Sequence, residues 1–163
     1  MIRKECQSIS NDIRVKVAGE HGRSAIFLNK SKDTFVKIRV DGCVISNSTG
    51  QKSADWIVSR PGVGDVIVEL KGKNVEYAIQ QINCTAKFWT NENLRAGRLA
   101  ALIVAKQCPP LTSTTIQKAQ TAFAREYEGR LRVVTRNDEF SFDTLLQINT
   151  STNCNKKRSG RKS

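Results

Sequence analysis

Two carboxylates and a lysine lie near each other along a stretch of sequence that is otherwise suited to burial. Asp55 precedes the apolar run 56–59, and Glu69 and Lys71 stand at the end of the apolar run 66–70. Both runs are rich in β-branched and aromatic residues, which favour strands. The turn between the runs decides whether the three charged side chains meet.

That turn is predicted to be tight. Residues 61–64 read Pro-Gly-Val-Gly, a sequence that forces a reversal and predicts a β-hairpin. With the reversal centred near Gly62, Asp55 lies opposite Glu69 to within about one residue, and their Cβ atoms are roughly 4.5–5.5 Å apart. Because side chains alternate along a strand, Lys71 lies on the same face as Glu69. The three groups are therefore expected at one end of the hairpin.

This combination of groups suits metal-assisted hydrolysis of a phosphodiester. Two facing carboxylates repel unless a cation joins them, and Mg²⁺ takes one or two carboxylates together with waters and phosphate oxygens. A lysine beside the ion can orient or deprotonate the attacking water, or neutralise charge on the phosphate. The alternative is that Glu69 and Lys71 form a solvated strand end and that Asp55 only starts a strand.

The surrounding elements predict an α/β fold. Apolar residues at three- and four-residue steps predict an amphipathic first helix over 2–17. Strands are predicted over 24–31, 34–42, 98–107 and 129–137, helices over 74–90 and 114–128, and a short final element over 140–148. The antiparallel hairpin and a parallel crossover after residue 98 together imply a mixed β-sheet flanked by helices. With 163 residues, we expect a single domain over 1–150 and a basic, disordered tail over 151–163.

The order of these features resembles the PD-(D/E)XK nuclease superfamily, which includes many restriction endonucleases and Holliday junction resolvases. The resemblance rests on Asp55-Trp-Ile-Val, on Asp-Val-Ile-Val-Glu69-Leu-Lys71-Gly and on Ala78-x-x-Gln81-Ile, and it covers roughly residues 35–105. Within the superfamily, these segments are most similar to a group of small bacterial proteins of no assigned role. The resemblance implies a restriction endonuclease-like core with the order α-β-β-β-α-β, here with a C-terminal αβ extension.

The resemblance also implies a role for each matching residue. Asp55 and Glu69, with the carbonyl of Leu70, would bind Mg²⁺, for which Mn²⁺ would substitute. Lys71 would serve catalysis. Gln81 matches a glutamine that many members carry on the helix after the hairpin. The chain would then be a metal-dependent endonuclease that hydrolyses DNA with activated water.

Helical geometry also favours Gln81 over its neighbour. With an apolar stripe centred near Val75 and Ile82, Gln81 lies about 100° from the centre of the stripe and Gln80 about 150° away. Gln81 can therefore reach toward the hairpin end, whereas Gln80 faces water. The alternative, which has equal weight, is that Gln81 is only a polar residue at the border between the buried and exposed sides of the helix.

Four further acids bear on the predicted site. Superfamily members often carry another acid on the first helix, and the choice between Glu5 and Glu20 stays open. Asp41, in Arg-Val-Asp-Gly, is expected to make a turn more than to join the site. Asp65 lies at the far end of the hairpin and is excluded. Ala54 stands where many members have proline.

Charge points to the class of partner. The net charge of +12 favours polyanions, so nucleic acid is expected, DNA before RNA. Five of these positive charges lie within residues 156–162. This segment is either an arm that grips DNA or an end that keeps the protein soluble. A homodimer is expected if both strands are cut. The main alternative is a noncatalytic nucleic-acid-binding or protein-interaction domain that retains the fold, and a weaker one is a small immunity or regulatory partner.

Location is predicted from what the sequence lacks. No run approaches the ~20 apolar residues of a membrane span, and the first residues lack the apolar stretch of a secretory signal. A cytoplasmic protein with no membrane partner is therefore expected. The five cysteines are scattered, with no C-x-x-C pair, and are expected to be reduced.

Overall fold

The computed structural model describes residues 1–108, 110 and 113–148. The elements in chain order are β1 (Gln7–Ser10), β2 (Arg14–Ala18), β3 (Ser24–Leu28), β4 (Phe35–Arg39), β5 (Trp56–Arg60), β6 (Gly64–Lys71), α1 (Val75–Asn91), β7 (Arg98–Ala105), α2 (Thr114–Tyr127), β8 (Leu131–Val134), β9 (Glu139–Phe140) and α3 (Phe142–Leu145). The predicted basic tail over 151–163 lies outside the described residues.

A mixed six-stranded sheet forms the centre of the fold, with the strand order β1-β4-β5-β6-β7-β8. Pairing is antiparallel from β1 to β6 and parallel from β6 to β8. A second sheet, β2-β3-β9, has three strands. The predicted mixed sheet flanked by helices is confirmed. The strands predicted over 24–31 and 34–42 also form, as β3 and β4, but they belong to different sheets.

Apolar side chains cover both faces of the six-stranded sheet. On one face, Ile57 and Ile67 belong to a cluster with α1 and α2, and on the other, Val66 and Val68 belong to a cluster with the small sheet and α3. Helix α1 buries the apolar stripe that its spacing predicted, which consists of Val75, Ala78, Ile79, Ile82, Ala86 and Trp89. Because side chains alternate, Glu69 follows Ile67 on the α1 side of β6.

The predicted first helix over 2–17 is wrong. This region forms a short 3₁₀ turn at Lys4–Cys6 and the strands β1 and β2. Val15 and Val17 are buried in the second cluster, whereas Ile9 and Ile13 are 72% and 52% exposed. Apolar residues at 13, 15 and 17 fit a two-residue period as well as a helical one, and burial against the neighbouring sheet decides for the strand. The antiparallel strands β4, β5 and β6 are followed by α1 and β7, but β-structure precedes them.

The expectation that all cysteines are reduced is also wrong. Cys6 and Cys43 form a disulfide, with 5.6 Å between their Cα atoms and 37 residues between them in sequence. Cys84 and Cys108 are free. The pairing of β1 with β4 brings the two half-cystines together, because Cys6 precedes β1 and Cys43 follows β4. Spacing in the sequence carries no signal for such a contact.

Candidate functional site

Asp55 and Glu69 face each other at one end of the hairpin. The last ladder pair of β5 and β6 at this end is Trp56 with Val68, so Asp55 and Glu69 occupy the next opposed positions. The Asp55 N–H donates to Glu69 Oε2 (3.1 Å), and the Leu70 N–H donates to Asp55 Oδ2 (2.8 Å). The two acids therefore lie on opposite strands within reach of each other, as the turn sequence predicted.

Burial and proximity shift the protonation of both acids. Glu69 is only 2% exposed, and burial, followed by the charge of Asp55, raises the pKa of Glu69 to about 8. Burial likewise raises the pKa of Asp55, although the hydrogen bond from Leu70 opposes the shift. Without a cation, the pair therefore holds a proton near neutral pH, because two adjacent desolvated carboxyls cannot both ionise cheaply.

Lys71 shares the cavity with the two acids but does not form an ion pair with them. Its positive charge opposes, without reversing, the rise in the pKa of both Asp55 and Glu69. Among the described residues, however, no ion pair joins its ammonium to either carboxylate. The ammonium instead lies 4.5 Å from the centroid of the Tyr77 ring. The structure thus brings the predicted trio to one cavity and leaves the lysine at its edge.

Gln81 lies where helical geometry placed it. Its Nε2 donates to the Ser53 carbonyl (2.9 Å), two residues before Asp55. Its Oε1 is buried and has no hydrogen-bond partner among the described residues. Gln80 is exposed and accepts a hydrogen bond from Lys52. Gln81 therefore lines the cavity, and Gln80 does not.

The cavity is open and has a volume of about 1080 Å³. Four acids, one histidine and five lysines and arginines line it: Glu20, Asp41, Asp55, Glu69, His21, Arg23, Arg39, Lys71, Lys73 and Lys106. Sequence reasoning missed Arg23, Arg39 and Lys106, because they come from separate segments that only folding unites, and their single sequence signal was the net positive charge. It also missed Lys73, whose place two residues after Lys71 was a signal that could have found it.

The structure separates the remaining acids. Glu20 lines the cavity, whereas Glu5 does not. Glu5 instead forms an exposed ion pair with Arg3 (3.1 Å). Asp41 makes the predicted turn, with Gly42 at φ +70°, and also lines the cavity, where its Oδ1 accepts a hydrogen bond from Ser53 (2.8 Å). Asp65, which was excluded from the predicted site, is fully buried and does not line the cavity.

The two tryptophans of the chain lie in different surroundings. Trp89 is 1% exposed and packs in the first cluster. Trp56 is only half-buried and lines the cavity, with its indole N–H donating to the Ala18 carbonyl (3.1 Å). Trp56 is the first residue of β5 and packs at the border of the second cluster.

The oxygen donors at this cavity fit a hard divalent cation. Asp55 and Glu69 are adjacent carboxylates with no cationic side chain paired to them among the described residues. No group of three or more His, Cys, Asp or Glu side chains suited to a metal occurs in the described part of the chain. Mg²⁺ needs only one or two carboxylates, since waters and substrate oxygens complete its shell.

Comparisons with known proteins do not assign a family. A scan against protein-family models, a search of curated proteins and a search of solved structures each found no match to this chain. The resemblance described above therefore stays a prediction, and the function proposed below is drawn from the geometry of the cavity.

Proposed function

We propose that this protein is a metal-dependent endonuclease that hydrolyses DNA phosphodiester bonds with water. The observation that carries the proposal is the facing pair Asp55 and Glu69 in a cavity that Lys71 also lines. Paired carboxylates next to a lysine supply the charges that phosphodiester hydrolysis needs. A restriction endonuclease-like core, with β4–β6, α1 and β7 as its meander, helix and further strand, is part of the same proposal.

The cation would be held by the hairpin end. Asp55 and Glu69, with the Leu70 carbonyl, would bind Mg²⁺ or Mn²⁺, and the bound ion would supply Lewis-acid stabilisation and an acidic water. The ammonium of Lys71 would neutralise charge on a phosphate, and only its neutral amine form would take a proton from water. Gln81 would support the site through its Nε2, which donates to the Ser53 carbonyl and so holds the segment just before Asp55.

The bases around the cavity would hold the substrate. Arg23, Arg39, Lys73 and Lys106 line it together with Lys71, and backbone phosphates are the polyanion that such a rim suits. No helix in the described residues has the length and apolar character to cross a membrane. A homodimer with one site per subunit is proposed for cleavage of both strands.

We also propose a cytoplasmic location, although one observation argues against it. The Cys6–Cys43 disulfide is a bond that oxidising compartments favour. Alkylation of thiols in freshly lysed cells, followed by mass spectrometry, tests the location. Reduced Cys6 and Cys43 agree with a cytoplasmic protein, and a fully oxidised pair contradicts it.

A noncatalytic nucleic-acid-binding domain is the second candidate, and one observation favours it. Both acids already accept hydrogen bonds from backbone N–H groups, and the Lys71 ammonium rests on an aromatic ring. These contacts alone would justify the three residues in a structural role, with the basic rim left to bind phosphate.

Nicking of supercoiled DNA tests the enzyme. Purified protein is incubated with supercoiled, linear and branched DNA plus Mg²⁺ or Mn²⁺, and with a chelator as control. We expect Asp55→Asn, Glu69→Gln and Lys71→Ala each to lower the rate at least ~100-fold. Lys87→Ala, which removes an equal charge from the exposed side of α1, is the matched control and retains activity.

The outcomes separate the two candidates. Equal nicking by wild type and Lys71→Ala would show that the activity comes from a contaminating nuclease, and it would overturn the enzyme proposal. Absence of nicking by wild type, together with DNA binding that weakens steeply with salt, establishes the noncatalytic candidate instead.

A further inference from the structure

Tyr77 carries two lysines on its ring at the edge of the cavity. The Lys71 ammonium lies 4.5 Å from the ring centroid and the Lys52 ammonium 5.1 Å. Tyr77 stands in the first turn of α1, where the Asn74 side chain accepts a hydrogen bond from its backbone N–H (2.9 Å). A cation within about 6 Å of an aromatic centroid is attracted by the electron-rich face of the ring. The N-terminus of α1 therefore holds the backbone of Tyr77, and the ring of Tyr77 contacts Lys71.

This contact competes with the carboxylate pair for the same ammonium. Lys71 lines the cavity that Asp55 and Glu69 line, yet no described ion pair connects it to them. Backbone N–H groups donate to Glu69 Oε2 and Asp55 Oδ2 instead. The ring is the one partner within contact distance that the described structure gives to the Lys71 ammonium.

We propose that Tyr77 is a positioning residue that holds the Lys71 ammonium on its ring and so keeps Asp55 and Glu69 free for a divalent cation. The inference rests on the proposed function, because it assumes that the two acids bind a metal. Without the ring, the four acids that line the cavity, Asp55 and Glu69 among them, are the opposite charges available to Lys71. An ammonium lodged against them competes with the cation for the same oxygens.

The contact is tested by NMR in the metal-free protein. Methylene protons next to an ammonium that lies over an aromatic ring are shielded, so the Lys71 Cε protons resonate upfield of ordinary lysine signals. We expect this shift to persist in Tyr77→Phe and to vanish in Tyr77→Leu, with Lys71→Arg identifying the signal. Tyr77 is 37% exposed, so both variants should fold. A Lys71 signal that is the same in wild type and Tyr77→Leu overturns the proposal.

Binding of Mn²⁺, measured by calorimetry, tests the consequence. Tyr77→Leu is expected to raise the dissociation constant about two- to fivefold, the ratio that an exposed cation–π contact supplies, and Tyr77→Phe to restore the wild-type value. Lys52→Ala is the matched control, because Lys52 contacts the same ring but does not line the cavity, and it should leave the constant unchanged.

The outcomes distinguish this inference from the proposed function. Equal Mn²⁺ affinity of wild type and Tyr77→Leu overturns the role of Tyr77 and leaves the nuclease proposal standing. No Mn²⁺ binding by wild type overturns the metal site itself, and the role of Tyr77 with it.

Discussion

Asp55 and Glu69 close the open end of the β5–β6 hairpin with side-chain hydrogen bonds where backbone ladder bonds end. Glu69 Oε2 accepts from the N–H of Asp55, and Asp55 Oδ2 accepts from the N–H of Leu70. The same two carboxyls that could hold a cation thus also tie the strand ends together. Their charge state should therefore affect stability as well as activity.

Stability without divalent cations should fall as pH rises. The pKa of Glu69 is about 8 in the folded protein, against 4.5 for an ordinary glutamate. The folded state retains a proton that the unfolded state loses, so this stabilisation is complete below about 4.5 and is lost as pH rises through about 8. The slope should approach about 1.4 kcal/mol per pH unit within this window. Urea denaturation at several pH values in a chelator measures it.

Glu69→Gln and Glu76→Gln provide the comparison for this pH dependence. Glu69→Gln should make the pH dependence shallower, with a remainder from the raised pKa of Asp55, whereas Glu76→Gln, on the exposed side of α1, should leave it unchanged. Added Mg²⁺ should stabilise wild type near pH 8 and leave Glu69→Gln unchanged. A wild-type curve as flat as that of Glu69→Gln would contradict the raised pKa.

Asp65 should matter for folding and not for nicking. Its Oδ2 accepts hydrogen bonds from the Trp89 indole (3.1 Å) and from the Ala96 N–H (2.8 Å), in a fully buried setting. Asp65→Ala leaves both donors unpaired and should cost about 2–4 kcal/mol in the free energy of unfolding. Asp65→Asn keeps an acceptor and should cost less. Chemical denaturation, paired with nicking per folded molecule, checks both statements, and a loss of nicking in well-folded Asp65→Asn would place Asp65 in the site after all.

The Cys6–Cys43 disulfide should stabilise the fold. It closes a loop of 37 residues, for which loss of the crosslink costs about 2–4 kcal/mol. Cys6→Ser with Cys43→Ser, or reduction of wild type, should lower the urea midpoint accordingly. Cys84→Ser, which removes a free cysteine, is the control and should change little. Equal midpoints for reduced and oxidised wild type would show that the bond contributes nothing.

The basic rim should set the salt dependence of DNA binding. Arg39→Ala with Lys106→Ala removes two cavity-lining charges and should reduce the slope of log affinity against log salt by roughly 1.8, at about 0.9 for each phosphate contact. Lys87→Ala with Lys118→Ala removes the same charge from exposed positions on α1 and α2 and should leave the slope nearly unchanged. Fluorescence anisotropy from 50 to 300 mM salt, roughly the range over which such slopes are resolved, measures both. Equal slopes for the two double variants would show that the bases lining the cavity do not contact DNA phosphates.

The hairpin end and the helix beside it follow from the order of residues in these segments. Pro-Gly-Val-Gly leaves one short reversal, so the strands on either side must pair in a narrow range of registers, and the opposition of Asp55 to Glu69 follows. The apolar residues of α1 fall on one side only when they are spaced around a helix, so that side must be the buried one. This orientation decided which glutamine borders the cavity. Local geometry decides such features, and local geometry can be read from residue order.

Tertiary structure alone decided the first strands, the disulfide and the basic rim. Residues 13–17 fit two periodicities, and only the presence of a neighbouring sheet to bury Val15 and Val17 selects the strand. Cys6 meets Cys43 because β1 pairs with β4 across a long loop. Arg23, Arg39 and Lys106 converge from three segments, as the Tyr77 ring and Lys71 do from two elements. Contacts between distant segments depend on how the sheets stack, and no short pattern in the chain encodes that.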